Sequence, residues 1–85
     1  MKIIYSEKFS KNIESLPKNI RKIFEKQESL FKNNWHDSRL QIKKLVNRDF
    51  LFSFRVTRAY RVLFVFVETD KVLFTRIAHR KDVYE

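Results

Sequence analysis

The sequence predicts an α+β domain in which a helical hairpin covers one face of a mostly antiparallel sheet. Three observations predict this fold. The chain has 85 residues, enough for one layer of helices on one sheet. Apolar residues recur at helical spacing from Glu7 to Asn33. Several β-rich segments then follow one another from Phe50 to Ala78. The expected order of elements is β-α-α-β-β-β, in a single domain spanning residues 1–85.

The first half of the chain supplies one strand and both helices. Lys2–Tyr5 is short and β-rich, and Ser6 is a residue type that caps a following helix. Pro17 divides the helical region in two because proline fits the first turn of a helix but not its interior. Asn33-Asn34 is the expected end of the second helix. The apolar stripes are Phe9, Ile13 and Leu16, then Ile20, Ile23, Phe24, Gln27, Leu30 and Phe31.

The second half supplies the remaining strands. Residues 34–38 form a connection, and Arg39–Val46 is interpreted as a loop that contains a short strand. Phe50–Val56 and Val72–Ala78 are strands, and Tyr60–Val67 is apolar enough to be the central one. Turns are expected at 47–49, 57–59 and 68–71. The chain has no glycine, so left-handed turn residues are expected at Asn47, Asp49 or Asp70.

Strand alternation predicts two unlike faces for this sheet. On Phe50–Val56, the residues Phe52, Phe54 and Val56 share one side, while Ser53 and Arg55 share the other. If both helices pack on the aromatic side, the second face of the sheet stays open. Arg55 is then expected on that open face.

The composition excludes several classes of protein. There is no cysteine, so disulfides and thiolate metal sites are absent, and two distant histidines, His36 and His79, argue against a zinc site. No cofactor is expected. No apolar run reaches eighteen residues and no signal peptide follows Met1, which predicts a cytoplasmic protein with no membrane-spanning segment.

The positive charge points to a polyanionic partner. The net charge is +9, which favours nucleic acid, a ribosome, an anionic membrane surface or an acidic protein. Lysine predominates in the first half and arginine in the second. Arginine on strands favours directed contact with phosphate because the guanidinium is a planar, bidentate donor. The arginines of the second half are Arg48, Arg55, Arg58, Arg61, Arg76 and Arg80.

The same half of the chain carries the residue types needed for RNA cleavage without a metal. That reaction requires a base for the 2′-OH proton, a cation beside the phosphate and an acid for the leaving oxygen. Histidine is the natural proton carrier, arginine stabilises charge and tyrosine can stack on a base. The candidates are Arg55, Arg61, His79, Arg80 and Tyr84.

Each candidate also has a purely structural interpretation. His79 could be a surface residue at the end of a strand, and the basic pair that follows it could be solvated. Arg61 could pair with Glu68 or Asp82, and Tyr84 could cover an edge of the core. The residue types alone therefore indicate a basic α+β domain that binds polyanions.

Two stretches resemble a known family. FSFRVTRAYRVLF (52–64) and LFTRIAHRKDVYE (73–85) are similar to the RelE/ParE superfamily of bacterial toxins from type II toxin–antitoxin pairs. That family shows an arginine strand, a tight turn, a Tyr-Arg strand and a last strand ending in a His-Arg…Val-Tyr pattern. The opening KIIYSEKFSKNIESLP is also similar to the family's first strand and helix.

The resemblance implies a toxin that cleaves mRNA in the ribosomal A site without a metal. Carried over by motif, Arg61 would stabilise the scissile phosphate, Arg55 would match a basic residue of the preceding strand and Arg80 an arginine of the last strand. Tyr84 would match the terminal tyrosine. His79 falls where some relatives place an acid or base. A small acidic antitoxin encoded next to the gene is the expected protein partner.

One departure keeps other functions open. RelE carries lysines on the strand before the turn, where this chain has Phe52 and Phe54. ParE-type members share the scaffold without the full catalytic set and inhibit DNA gyrase. The alternatives are thus a gyrase inhibitor or a catalytically decayed, basic RNA-binding module.

Overall fold

The fold is a helical hairpin packed on one face of a mixed sheet. The computed structural model describes residues 1–45 and 50–83, and within them it has two α-helices, one short 3₁₀-helix and five strands. The α+β prediction is confirmed. The elements are β1 (Lys2–Tyr5), α1 (Glu7–Ser15), α2 (Lys18–Asn33), the 3₁₀-helix (Ser38–Leu40), β2 (Lys43–Lys44), β3 (Phe52–Arg55), β4 (Tyr60–Glu68) and β5 (Lys71–His79).

The helices begin and end where the sequence predicts. The hydroxyl oxygen of Ser6 accepts the Phe9 N–H at 2.9 Å and so caps α1, as expected. The same hydroxyl donates to the carbonyl of Thr75 at 2.8 Å, which fixes α1 against β5. Pro17 immediately precedes α2, and that helix ends at Asn33.

The strand order is β1-β5-β4-β3-β2. β1 runs parallel to β5, and every other pair is antiparallel. β4 therefore lies in the middle of the sheet, as its continuous apolar sequence predicts. The segment that precedes β3 forms only a two-residue strand at the edge, after a 3₁₀-helix at Ser38–Leu40.

The core between helices and sheet is built mainly from phenylalanine. Phe74 lies at its centre, because its ring contacts rings from α1, α2, β3 and β4 at centroid distances of 5.4–6.3 Å. Most of these contacts are edge-on or tilted, which suits the aromatic quadrupole. Six of the nine phenylalanines are buried: Phe9, Phe24, Phe31, Phe54, Phe64 and Phe74.

The connection after α2 contains one unusual backbone conformation. Gln41 has φ 49° and ψ 52°, and it is the one residue with a positive φ among residues 1–45 and 50–83. Asp70 does not adopt such a conformation, contrary to expectation, and Asn47 and Asp49 lie outside the described residues. Gln41 is the C-cap of the 3₁₀-helix, a position that favours the left-handed conformation, and no glycine or asparagine stands there.

The face of the sheet away from the helices is not wholly exposed. Ser53 and Leu63, a cross-strand pair on that face, are buried, with relative exposures of 0% and 5%. The prediction of an open second face therefore needs correction, since its centre is covered. Long cationic side chains can cover a sheet in this way with their aliphatic stems. Within the described residues, no helix is both long and apolar enough to span a bilayer.

Candidate functional site

The site begins with two arginines on neighbouring strands. Arg55 ends β3 and Arg61 is the second residue of β4, and the two are direct cross-strand partners. Residues that face each other across antiparallel strands share one side of the sheet. Both guanidiniums therefore lie on the face away from the helices, as strand alternation predicts for Arg55.

Further cations join these arginines from three other places in the fold. Lys43 lies on β2, Arg58 in the turn between β3 and β4, and Arg80 and Lys81 follow β5. Together with the strand arginines they line one cavity of about 510 Å³. The described residues that line this cationic cluster are Lys43, Arg55, Arg58, Arg61, Arg80 and Lys81.

Backbone hydrogen bonds hold two of these segments together. The Arg80 N–H donates to the carbonyl of Ala59 at 2.6 Å, so the segment after β5 lies against the β3–β4 turn. The Thr57 hydroxyl oxygen accepts the N–H groups of Ala59 and Tyr60, each at 3.1 Å, and fixes that turn. The positions of Arg58 and Arg80 in the cluster follow from these contacts.

Arg61 is a buried charge. Its relative exposure is 7%, and the described chain supplies no hydrogen-bond partner for its Nη1 atom or for the buried Nε of Arg55. Neither Glu68 nor Asp82, the expected structural partners, forms an ion pair with Arg61 among the described residues. A buried cation without a partner is costly, so an anionic ligand is the natural acceptor for these N–H groups.

A glutamine of α2 fixes the end of β3 from the other side of the sheet. Gln27 is buried, and its Nε2 donates to the carbonyls of Arg55 at 2.8 Å and Arg39 at 3.2 Å. This contact joins the helix to the strand end that carries the Arg55 guanidinium. Gln27 therefore positions a site residue without entering the cationic cluster.

His79 lies apart from the cationic cluster. It is the cross-strand partner of Tyr60, and its ring meets the Tyr60 ring at a centroid distance of 5.6 Å. Because Tyr60 packs against the core, this pair lies on the helix side of the sheet, opposite Arg61. The Nδ1 atom of His79 accepts the Lys81 N–H at 3.2 Å. Tyr84 lies outside the described residues.

A second cavity, between the helices, has the opposite character. This groove of about 370 Å³ is lined by aromatic rings, by three carboxylates and by one cation, Arg21, which donates to the carbonyls of Ile13 and Glu14. The Tyr5 hydroxyl donates to Glu28, and burial together with this carboxylate raises the Tyr5 pKa above its usual value. Three carboxylates would repel a polyanion, so the cationic cluster is the better nucleic-acid site. The carboxylates are Glu14, Glu25 and Glu28.

Part of the cationic cluster has no signal in the sequence. Lys43 cannot be identified from the sequence, because its strand is only two residues long and has no periodic pattern. Arg58 and Lys81 were recognised as basic, but their convergence depends on the packing of two turns. Gln27 stands in the apolar stripe of α2, and a polar residue at such a position is the one sequence signal for a buried hydrogen-bonding role.

The chain is similar to toxins over its whole length. Toxin RelE3 from Methanocaldococcus jannaschii is 31% identical over 87 aligned residues, which cover 100% of this chain and 97% of the relative. No protein-family model matches the chain.

Solved structures share the fold. A chain from the RelB–RelE antitoxin–toxin complex of Methanococcus jannaschii has a TM-score of 0.77 and 26% identity, covering 96% of this chain and 95% of the other. YafQ from E. coli BL21(DE3) has a TM-score of 0.80 at 16% identity, covering 99% and 98%. The E. coli DinJ–YafQ complex gives 0.79 at 15%, covering 99% and 97%.

Proposed function

Because the chain belongs to the RelE superfamily of toxins from toxin–antitoxin pairs, we propose that it is an endoribonuclease that cleaves ribosome-bound mRNA in the cytoplasm without a metal. The observation that carries the proposal is the buried Arg61 within a cationic cluster, with its Nη1 lacking any hydrogen-bond partner in the described chain. A phosphodiester supplies the oxygen acceptors that this group requires.

The cationic cluster suits the charge that develops during cleavage. When the 2′-oxygen attacks, negative charge accumulates on the phosphate oxygens, and fixed cations in a partly closed site stabilise it. In this proposal Arg61 and Arg55 hold the scissile phosphate and Arg80 supports them from the segment after β5. Their positions on adjoining strands limit how far they must rearrange during the reaction.

Proton transfer is assigned to His79. Since the Nδ1 atom of His79 accepts the Lys81 N–H, the neutral ring carries its proton on Nε2. His79 is the candidate acid for the leaving oxygen, but its ring lies on the helix side at the end of β5 and would have to pass the rim of the sheet to reach the cavity. Tyr84 would orient the base or the nucleophile.

The test is primer extension on a translated message after induction of the protein. Arg61→Ala should reduce cleavage about 10²–10³-fold, the usual effect of removing one group that stabilises a developing anion. Arg39→Ala is the matched control, because Arg39 is an exposed arginine outside the cluster that pairs with Asp37. Equal cleavage by the native and Arg61→Ala proteins, or cleavage by neither, would defeat the proposal.

His79 needs its own measurement because its ring lies opposite the cluster. We expect His79→Gln to reduce cleavage less than Arg61→Ala does, since the imidazole does not line the cavity. A loss as large as that of Arg61→Ala would instead place His79 beside the reacting atoms. The variant Arg80→Ala, which removes a lining cation, should fall between the two.

A gyrase inhibitor is the second candidate. The positions of β3 where RelE carries lysines hold Phe52 and Phe54 in this chain. Phe54 is fully buried and Phe52 packs against the core, so β3 supplies no lysine as a base. The test is a supercoiling assay with purified protein at micromolar concentration. Inhibition of gyrase with messages left intact would favour this candidate, while unaffected gyrase would exclude it. If growth, mRNA and gyrase activity were all unaffected, the remaining candidate would be a catalytically decayed RNA-binding module.

An antitoxin is the expected protein partner, as in the RelB–RelE complex. We propose that it is acidic and covers the cationic cluster, because such a partner would neutralise the buried guanidinium. Co-expression with the neighbouring small reading frame should yield a complex that no longer binds RNA. An adjacent protein that binds without blocking RNA would contradict this part of the proposal.

A further inference from the structure

The cations of the cluster lie across the strands rather than along one of them. In the sheet order β5-β4-β3-β2, Arg80 follows the first strand, Arg61 and Arg55 lie on the middle two and Lys43 on the last. Neighbouring strands are about 4.8 Å apart, so four strands span roughly 14 Å. A nucleic-acid strand has one phosphate per about 3.4 Å of axis in a duplex and a larger spacing when extended. The row is therefore longer than a single phosphate requires.

Lys43 reaches this row because of its register. It pairs with Ser53, and Ser53 shares its face of β3 with Arg55. The next residue, Lys44, pairs with Phe52, whose ring packs toward the core, so Lys44 points to the opposite side. Lys43 and Lys44 are adjacent and both exposed, but only Lys43 lines the cationic cavity.

The charge around the row is uniform. Every residue that lines the cavity in the described chain is a lysine or an arginine, and Lys43 takes part in none of the ion pairs found there. Lys43 also lies at the end of the row farthest from Arg80 in the strand order. An anion held by Lys43 is therefore beside, and not at, the position of the Arg55–Arg61 pair.

Along the strands, Lys43 is level with Ser53 and Leu63, the Arg55–Arg61 pair lies two residues away, and Arg80 lies two residues further, level with Ala59. From this arrangement we infer that single-stranded RNA crosses the sheet obliquely, from β2 toward the end of β5, and that Lys43 binds a phosphate neighbouring the one held by Arg55 and Arg61. The inference rests on the proposed function, because it takes RNA as the ligand of the cluster. It adds the direction of the strand and a binding residue on the edge strand β2. Lys43 of β2 thus places a lysine on the face away from the helices, where β3 has no lysine.

The experiment compares Lys43→Ala with its neighbour Lys44→Ala. The probe is a short fluorescent RNA with 2′-O-methyl groups, which binds but lacks the attacking hydroxyl. Lys43→Ala should weaken binding about 2- to 5-fold, as for loss of one exposed ion pair. It should also reduce the slope of log K against log salt by about 0.7, the value for one phosphate of a single strand. Lys44→Ala should change neither quantity.

A second probe tests the position of the contact. A dinucleotide with one phosphate should occupy the arginine pair alone, so Lys43→Ala should leave its affinity unchanged while Arg55→Ala weakens it. Circular dichroism of each variant checks the fold, and both lysines are exposed, so folding should be preserved.

The outcomes separate the inference from the proposed function. If Lys43→Ala and Lys44→Ala lower the salt slope equally while Arg61→Ala weakens binding strongly, the path is wrong and the function stands. If Lys43→Ala weakens the dinucleotide as much as the longer RNA, Lys43 contacts the central phosphate and the assigned position is overturned. If Arg61→Ala leaves RNA binding unchanged, the proposed function fails as well.

Discussion

The charge of Arg61 is buried in the free protein, so replacing this residue should change the free energy of unfolding. Arg61 is 7% exposed, and its Nη1 has no hydrogen-bond partner in the described chain. Replacing it with methionine removes the desolvated charge and keeps a long apolar stem. We expect Arg61→Met to stabilise the protein by about 1 kcal/mol, or roughly 4–8 °C in Tm, while reducing the proposed cleavage as Arg61→Ala does.

Thermal unfolding followed by circular dichroism measures this prediction. The control is Arg39→Met, which removes an exposed, paired arginine and should not raise Tm. A fall in Tm for Arg61→Met would mean that Arg61 has a stabilising partner in the folded protein, and its status as a ligand-binding residue would be lost.

The lowered pKa of Asp37 predicts that the stability of the protein depends on pH. Its carboxylate accepts from Arg39 N–H, Nε and Nη2 at 2.8–3.0 Å, which lowers the Asp37 pKa from 3.8 to about 2. Because the folded pKa lies below the unfolded one, this contribution to stability is full above pH 3.8 and is lost as pH falls through 2. Asp37→Asn should lower the urea midpoint at pH 7, and the difference from native protein should vanish near pH 2.

A double variant identifies the source of that effect. If Arg39 is the partner responsible, adding Arg39→Ala to Asp37→Asn should cost less than the two single changes summed. Strictly additive costs would show that Asp37 acts by capping the 3₁₀-helix alone.

At this scale the sequence predicts which side of a strand a residue occupies but not what it meets there. Period-two alternation places Arg55 correctly, since Phe52 and Phe54 must face the helices. The same rule cannot place His79 relative to Arg61, because that requires the register between β4 and β5. Register depends on turn geometry and on the bulges between these strands, which single residues do not reveal.

Between helix and strand, Gln27 provides an element-scale prediction. Its amide bridges the carbonyls of Arg39 and Arg55, so α2 is joined both to β3 and to the 3₁₀-helix. Gln27→Leu keeps the volume but leaves both carbonyls without this donor. We expect a loss of about 1–3 kcal/mol in the free energy of unfolding, measured by urea denaturation.

A conservative change separates the amide from the shape of the side chain. Gln27→Met matches the length of glutamine without its donor and should lose as much as Gln27→Leu. If Gln27→Met were as stable as the native protein, the hydrogen bonds would be ruled out as the cause, and packing alone would explain the burial of Gln27.

Elements with strong local signals are predictable here, and elements made by pairing are not. Both helices follow from apolar spacing, the Ser6 cap and Pro17. β2 is held by two residue pairs with β3 and has no pattern of its own, so its contribution of Lys43 to the site was not foreseeable. Gln41 is similar, because glutamine has no preference for the left-handed conformation that the chain imposes on it.

For the molecule as a whole, the aromatic core determines stability. Phe74 is fully buried and contacts rings from both helices and from β3 and β4. Phe74→Ala should cost about 3–5 kcal/mol, against a total of about 4–13 kcal/mol for a domain of this size. The measurement is the urea midpoint, and Phe50→Ala is the control because Phe50 is 83% exposed and should change stability by less than about 0.5 kcal/mol.

Whole-molecule charge and fold class were predictable, but the site as a unit was not. A net charge of +9 indicates a polyanion, and the order of elements indicates the α+β fold. Convergence of Lys43, Arg58 and Lys81 depends on three segments meeting at one end of the sheet, which no local pattern encodes.

The parallel pairing of β1 with β5 also affects when the molecule can become active. Ser6 and Thr75 are joined across 69 residues of chain, and β5 lies between β1 and β4. Contacts at such long sequence separation form slowly and cannot form before the later partner exists. A nascent chain must therefore release residue 79 from the exit tunnel before its sheet can close, so the cationic cluster assembles only after nearly the whole chain has left the ribosome.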